Sequence, residues 1–144
     1  MSAAGPVLVE TGARMHGGLG PHLVEECNSH SLIDLSLMAR IAPNELADKT
    51  HMQPVLKRYA VEYFLCSPEA GTLKAVNIES QCSILESYGF SVCKYKPGDY
   101  LEKTTDLVTS YGRVVLFNSD REQLISDAQS VTDLERAGML ITMK

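Results

Sequence analysis

Glu10, Gly12 and Arg14 stand at alternate positions in the run Val7-Leu8-Val9-Glu10-Thr11-Gly12-Ala13-Arg14, and Met15-His16-Gly17-Gly18 follows. In an extended chain, residues at i, i+2 and i+4 project from one face. Glu10 and Arg14 are therefore expected to point into one cleft, with the bare backbone of Gly12 between them. A carboxylate is a hard oxygen ligand suited to Mg²⁺, which takes one or two carboxylates alongside phosphate oxygens. A guanidinium grips a phosphate or carboxylate through a planar fork. His16 sits in the glycine loop, within reach of the same anion, and Gly17 and Gly18 allow close backbone approach. A plainer reading stands beside this one. A Glu and an Arg on one strand face are often a surface pair worth under about 1 kcal/mol, and a glycine-rich loop is often only a turn.

The elements around these residues follow from pattern. Val7 to Glu10 is β-branched and reads as a strand. Pro21 suits the first turn of a helix, because its missing N–H has no partner there anyway; Leu23, Val24 and Cys27 give that helix an apolar side. The positive end of its dipole adds to an anion site. A second helix starts near Ser31, with Asp34 as a capping-box partner. Leu32, Ile33, Leu35, Leu37, Met38 and Ile41 surround most of its circumference, so it wants burial on more than one side. It stops before Pro43.

Strands are expected at 59–66, 72–76, 90–95, 112–117 and 139–142, with the second folding back on the first as a hairpin across 67–71. Ile78, Cys82 and Leu85 recur at helical spacing. Lys96-Pro97-Gly98-Asp99 has Pro and Gly at the positions a type II turn requires. The last helix has Ser119 as N-cap, Glu122 completing S-x-x-E, a stripe of Leu124, Ala128, Val131 and Leu134, and Gly138 at C′. Its charged residues Asp120, Arg121, Asp127, Asp133 and Arg136 are expected to form a solvated face. The sum is an α+β fold, a mostly antiparallel sheet with flanking helices, over 1–144 as one domain.

Composition narrows the function classes. The chain has 144 residues, about one domain's worth, with 44% apolar and 22% charged residues, as in ordinary globular proteins. Thirteen basic against eighteen acidic residues give a formal net charge of −5, which argues against nucleic acid as a partner. No apolar run approaches the length that spans a membrane. Met1 to Pro6 carries neither a basic nor an apolar leader segment, so a cytoplasmic location is expected. Cys27, Cys66, Cys82 and Cys93 form no C-x-x-C pair, and are expected as small buried hydrophobes in a reducing compartment. His22, His30 and His51 lack H-E-x-x-H spacing.

The stretch Leu8 to Gly18 resembles the E-x-N/G-x-R signature of the ATP-grasp superfamily, most closely its carboxylate–amine (amino-acid) ligase branch, where E-x-G-A-R followed by Gly-Gly is common. Ser29 to Leu35 occupies the place of that branch's "G-x-D-L" segment. Ala70-Gly71-Thr72-Leu73, Lys96-Pro97-Gly98-Asp99 and Gly112-Arg113-Val114-Val115 are similar to elements of its C-terminal region. The resemblance implies an ATP- and Mg²⁺-dependent enzyme that phosphorylates a carboxylate to an acyl phosphate, which an amine then displaces. It implies that Glu10 binds Mg²⁺, that Arg14 stabilises the phosphoryl group, and that His16, Gly17 and Gly18 lie against the nucleotide phosphates. The substrate would be an amino acid or another small carboxylate. Gly12 replaces the Asn of many relatives, removing one side-chain metal ligand.

In that family the signature lies late in the fold, whereas nine residues precede Glu10. The chain is thus expected to be the C-terminal part of such a ligase, inactive alone. Two other readings remain. One is a non-enzymatic, ligase-derived binding module that forms a homo-oligomer through strand edges or the apolar second helix. The other is a small anion-binding regulator using the Gly17-Gly18 loop.

Overall fold

A computed structural model describes Gly5 and residues 14–49 and 55–144. The chain divides into two compact units, Met1–Val55 and Leu56–Lys144. The expected strand at 7–10 lies outside the described residues, as do Gly12 and His51.

The first unit is helical where it is described: α1 (Gly20–Cys27), α2 (Leu32–Ile41) and α3 (Pro43–Lys49). Pro21 stands in the first turn of α1 as expected. Helix α2 is capped by Ser31, whose Oγ accepts the backbone N–H of Asp34 at 3.3 Å. It ends at Ile41, and Ala42 alone separates it from Pro43, since the residue before a proline is pushed out of the helical region. Ser29 and Val55 tie the unit's last described residue back to the α1–α2 turn, through Ser29 N–H to the Val55 carbonyl at 3.1 Å and Val55 N–H to Ser29 Oγ at 3.0 Å. No residue of α2 is fully buried. Ile33, Leu37 and Ile41, four residues apart, form an exposed apolar stripe.

The second unit is α+β and antiparallel throughout, as the sequence implies. Its elements are β1 (Tyr59–Leu65), β2 (Gly71–Val76), α4 (Ile78–Cys82), β3 (Tyr88–Cys93), β4 (Tyr100–Leu101), β5 (Gly112–Asn118), α5 (Arg121–Arg136) and β6 (Ile141–Met143). One sheet has the order β1-β5-β3 and the other β4-β2-β6. Directly paired residues share a face. Val61 with Leu116 and Tyr63 with Val114 therefore define one side of the first sheet, and Leu124 and Val131 of α5 join their cluster. Leu73, Leu101 and Leu140 bring the second sheet into the same core.

Three expectations need correction. Strands β1 and β2 do not form a hairpin. β1 pairs with β5 along its whole length, and β2 with β4 and β6. The turn-rich link 66–70 serves another purpose: Ser67 is buried, its N–H donates to Thr104 Oγ1 and its hydroxyl to the Glu69 carbonyl. Helix α5 is capped by Asp120, not Ser119, through Asp120 Oδ1 accepting the N–H of Glu122 at 2.8 Å. Asp127 is buried rather than solvated. Other details hold. Gly98 has φ +99° with Asp99 N–H bonded to the Lys96 carbonyl, and Gly138 at C′ has φ +67°. The four cysteines are free thiols, with Cys27 and Cys82 buried and Cys93 half-buried, but Cys66, expected to be buried, is exposed just past the end of β1, a fourth correction.

Candidate functional site

The described part of the signature is a short exposed loop leading into α1. Arg14, Met15, His16, Gly17 and Gly18 all face solvent. The Arg14 guanidinium reaches only its neighbour's carbonyl, Met15 O, at 3.5 Å. Gly18 adopts φ +64°, a left-handed conformation that glycine takes without the penalty of a Cβ. It turns the loop so that Gly17 O meets the N–H of Gly20 at 3.4 Å. A Cβ on Gly17 would touch nothing within 4 Å, so that backbone is open to a ligand's approach.

His16 is held by this turn. Its Nδ1 lies 2.7 Å from Gly17 O. A carbonyl only accepts, so Nδ1 carries the proton and Nε2 is the ring atom left to face outward. Gly20 makes room for the ring, because a Cβ there would fall on His16 Nδ1. Nothing in the spacing of Gly20 marks it in the sequence as the seat of a side chain. No side chain caps the N-terminus of α1, but few of its donors are open to an anion: the Gly20 N–H turns to Gly17 O, Pro21 has none, and the Leu23 N–H goes to Leu19 O, which leaves the His22 N–H.

Four of the five expected site residues, Arg14, His16, Gly17 and Gly18, lie on this exposed loop. The fifth, Glu10, lies outside the described residues, as does its relation to Arg14. The donors present (a guanidinium and open glycine backbone) suit phosphate oxygens, and the His16 ring joins them only when Nε2 is protonated as well. Among the described residues no group of three or more His, Cys, Asp or Glu side chains is placed to hold a metal ion.

The second unit holds two polar arrangements that the sequence did not single out. Glu62 and Arg113 face each other across β1 and β5 at 2.7 Å on the side away from α5, with Glu62 mostly covered. Arg113 also lies over the Phe64 ring, 5.7 Å from its centre. At the far end of β1, Glu135 of α5 accepts Tyr63 Oη at 3.0 Å and the Cys66 N–H at 2.7 Å. Burial raises the Tyr63 phenol, and burial followed by the Glu135 charge raises the Cys66 thiol. Both stay protonated near neutrality. The two arrangements tie strands and helix together and offer no open coordination.

Over 137 residues, 94% of its length, the chain is 29% identical to Dapdiamide A synthase of Enterobacter agglomerans. It spans about a third of that protein, 32%. No family model and no solved structure matches. Among the described residues, no helix is long and apolar enough to cross a membrane.

Proposed function

We propose that this chain is the phosphoryl-stabilising C-terminal part of an ATP-dependent carboxylate–amine ligase. The observation that carries the reading is the E-x-G-A-R-x-x-G-G run at Glu10–Gly18, in a chain similar along nearly its whole length to one third of a synthase. When bound, Mg-ATP supplies the phosphoryl group that activates a carboxylate for attack by an amine. Arg14 would neutralise charge that builds on the transferring phosphoryl oxygens, where positioning and electrostatics do most of the catalysis. Gly17 and Gly18 would let backbone N–H groups approach those oxygens, and His16, with both ring nitrogens protonated, would donate through Nε2 to the same anion. Glu10 would hold the metal. Such a part acts only with the remaining lobes of the enzyme, so the chain alone is expected to be inactive, and its carboxylate substrate, an amino acid in that branch, would be bound by several lobes together.

The test replaces the matching third of Dapdiamide A synthase by this chain and follows phosphate release from ATP across a panel of amino acids. Amino-acid-dependent release that drops at least tenfold with Arg14→Ala supports the reading. A graft that is folded by circular dichroism yet silent toward ATP overturns it.

A second reading is favoured by the exposed Ile33, Leu37 and Ile41 stripe of α2: a binding module that pairs with a second copy through this helix. Sedimentation of the chain and of Leu37→Glu separates the two. A dimer abolished by Leu37→Glu supports the module, and a monomer in both rejects it.

A further inference from the structure

Strand β3 is an edge of its sheet, and the outer side of that edge opens onto a cavity. It pairs with β5 and with no other strand. The direction of its backbone groups is fixed at two points. Lys94, the residue after β3, donates its N–H to the Tyr111 carbonyl at 3.0 Å, on the β5 side. The Val92 carbonyl oxygen also faces β5, since a Cβ on Gly112 would come within 2.5 Å of it. Backbone groups alternate in direction along an antiparallel ladder. Ser91 and Cys93 therefore turn their N–H and C=O groups away from β5, toward the outside of the sheet. Among the described residues, no other strand, turn or side chain takes up those four groups.

The cavity has a volume of about 550 Å³ and lies where the two sheets part. Ser91 and Cys93 form one wall. Val76, at the end of β2, and Ile78, Glu79 and Ser80, at the start of α4, form the other. Ile78 is only 2% exposed and gives that wall an apolar base. Burial raises the Cys93 thiol, so its side of the cavity is uncharged near neutrality. Glu79 is the one charged residue among the described lining, and its carboxylate makes no ion pair or hydrogen bond with any described residue. Open strand edges are commonly blunted by charge, proline or a bulge. On β3 the bulge comes earlier, between Tyr88 and Phe90, and Lys94 comes later. The stretch from Ser91 to Cys93 carries none of these.

We propose that this cavity is a docking groove for a short extended segment of another polypeptide, which adds to the outer edge of β3 and carries a lysine or arginine toward Glu79. The main-chain groups of Ser91 and Cys93 ask for a ligand with alternating N–H and C=O groups of its own, which an extended peptide supplies by strand addition. Alternate side chains of the added strand share one face. One aliphatic side chain falls on Val76 and Ile78, and the cation lies two positions along. Three residues of edge span roughly 7 Å at ~3.3 Å per residue, so specificity comes from one apolar and one charged position. The proposal goes beyond the ligase reading and uses none of the glycine-loop residues, so either can fail without the other.

The experiment titrates a blocked pentapeptide of threonines, with valine second and lysine fourth, to about 2 mM into the ¹⁵N-labelled full chain. The expected result is that the Ser91 and Cys93 amides shift and exchange more slowly with solvent. The deciding arm uses the same peptide with the valine and central threonine nitrogens methylated, which removes one donor on each side of its backbone. It should bind at least tenfold more weakly, and this arm needs no altered protein. Ser91→Pro removes an N–H that points outward, a change an edge strand tolerates; with the fold verified by circular dichroism, it should cost at least tenfold in affinity. Glu79→Gln, or glutamate in place of the peptide's lysine, should cost at least threefold. No shift at Ser91 and Cys93, equal binding of the methylated peptide, or an affinity indifferent to Glu79→Gln would each overturn the proposal.

Discussion

The Asp127 carboxylate of α5 accepts the backbone N–H of Ser87, at the entrance to β3, at 2.8 Å inside the protein. Gln123 Nε2 donates to its other oxygen at 3.0 Å. Ser87 is in turn bonded through its carbonyl to Phe117 N–H at 2.7 Å and through its hydroxyl to Asn118 Nδ2 at 3.0 Å. One side chain thus fastens the long helix to the turn that launches an edge strand. Asp127→Ala leaves a buried N–H without an acceptor, at a cost of about 1–3 kcal/mol. Urea denaturation should show it, with Asp127→Asn recovering part of the loss because its amide oxygen can still accept.

Gly112 begins β5 where three strands converge. A Cβ there would come 2.5 Å from the Val92 carbonyl oxygen and 3.3 Å from the Cys93 Cα. Both are backbone atoms and cannot swing aside. Gly112→Ala should therefore force β3 from β5 and destabilise the chain by about 1–3 kcal/mol or more. Hydrogen exchange should report it first at the amides of β3.

Alkaline pH should weaken the fold over a defined window. Burial pushes the Cys82 thiol from its ordinary 9.0 up to about 11. Burial, then the Glu135 charge, raises the Tyr111 phenol above its ordinary 10.0. The folded state keeps protons that the unfolded chain gives up, so stability is intact below about pH 9 and falls as pH rises toward 11, by at most about 1.4 kcal/mol per pH unit for each group. Denaturation midpoints at pH 8, 9.5 and 10.5 should decline in that order. Cys82→Ala should flatten the part of the slope between 9 and 11.

The start of α5 offers a sharp comparison. Asp120→Ala should cost about 1 kcal/mol, the usual value of an N-cap side chain. Ser119→Ala, one residue earlier, should leave the melting temperature nearly unchanged. Equal losses from both would contradict the observed cap.

Gly20→Ala places a methyl group where the His16 ring now lies. The ring is exposed and can rotate away, and alanine favours helix over glycine, so stability should change by under about 1 kcal/mol. The His16 ring resonances should shift and its bond to the Gly17 carbonyl should be lost. In the grafted synthase, the change should lower phosphate release while leaving the fold untouched.

Much of this architecture is written locally. Pro21, Ser31 and Pro43 bound helices α1 and α2 by the chemistry of single residues, and Pro97-Gly98 makes its turn unaided. What escaped is non-local. The partner of β1 is chosen by Leu116 and Val114 matching Val61 and Tyr63 over the face that α5 covers, not by the nearest run of strand-forming residues. Asp127 looks like any helix-surface carboxylate until Ser87 arrives from forty positions away. In the candidate site, types and spacing marked Arg14, His16, Gly17 and Gly18, but the service Gly20 performs for His16 exists only once the loop turns.

Strand β2 sits in the middle of its sheet, yet its pairing from Leu73 to Val76 is with Met143 to Ile141. A growing polypeptide must carry β2 unpaired on that side while every intervening helix and strand is synthesised. Until β6 arrives, that edge is open to any passing strand. Chaperone dependence and losses during expression should therefore concentrate in this half-finished sheet, and removing only the last few residues should be felt in folding yield well before any change at the glycine loop.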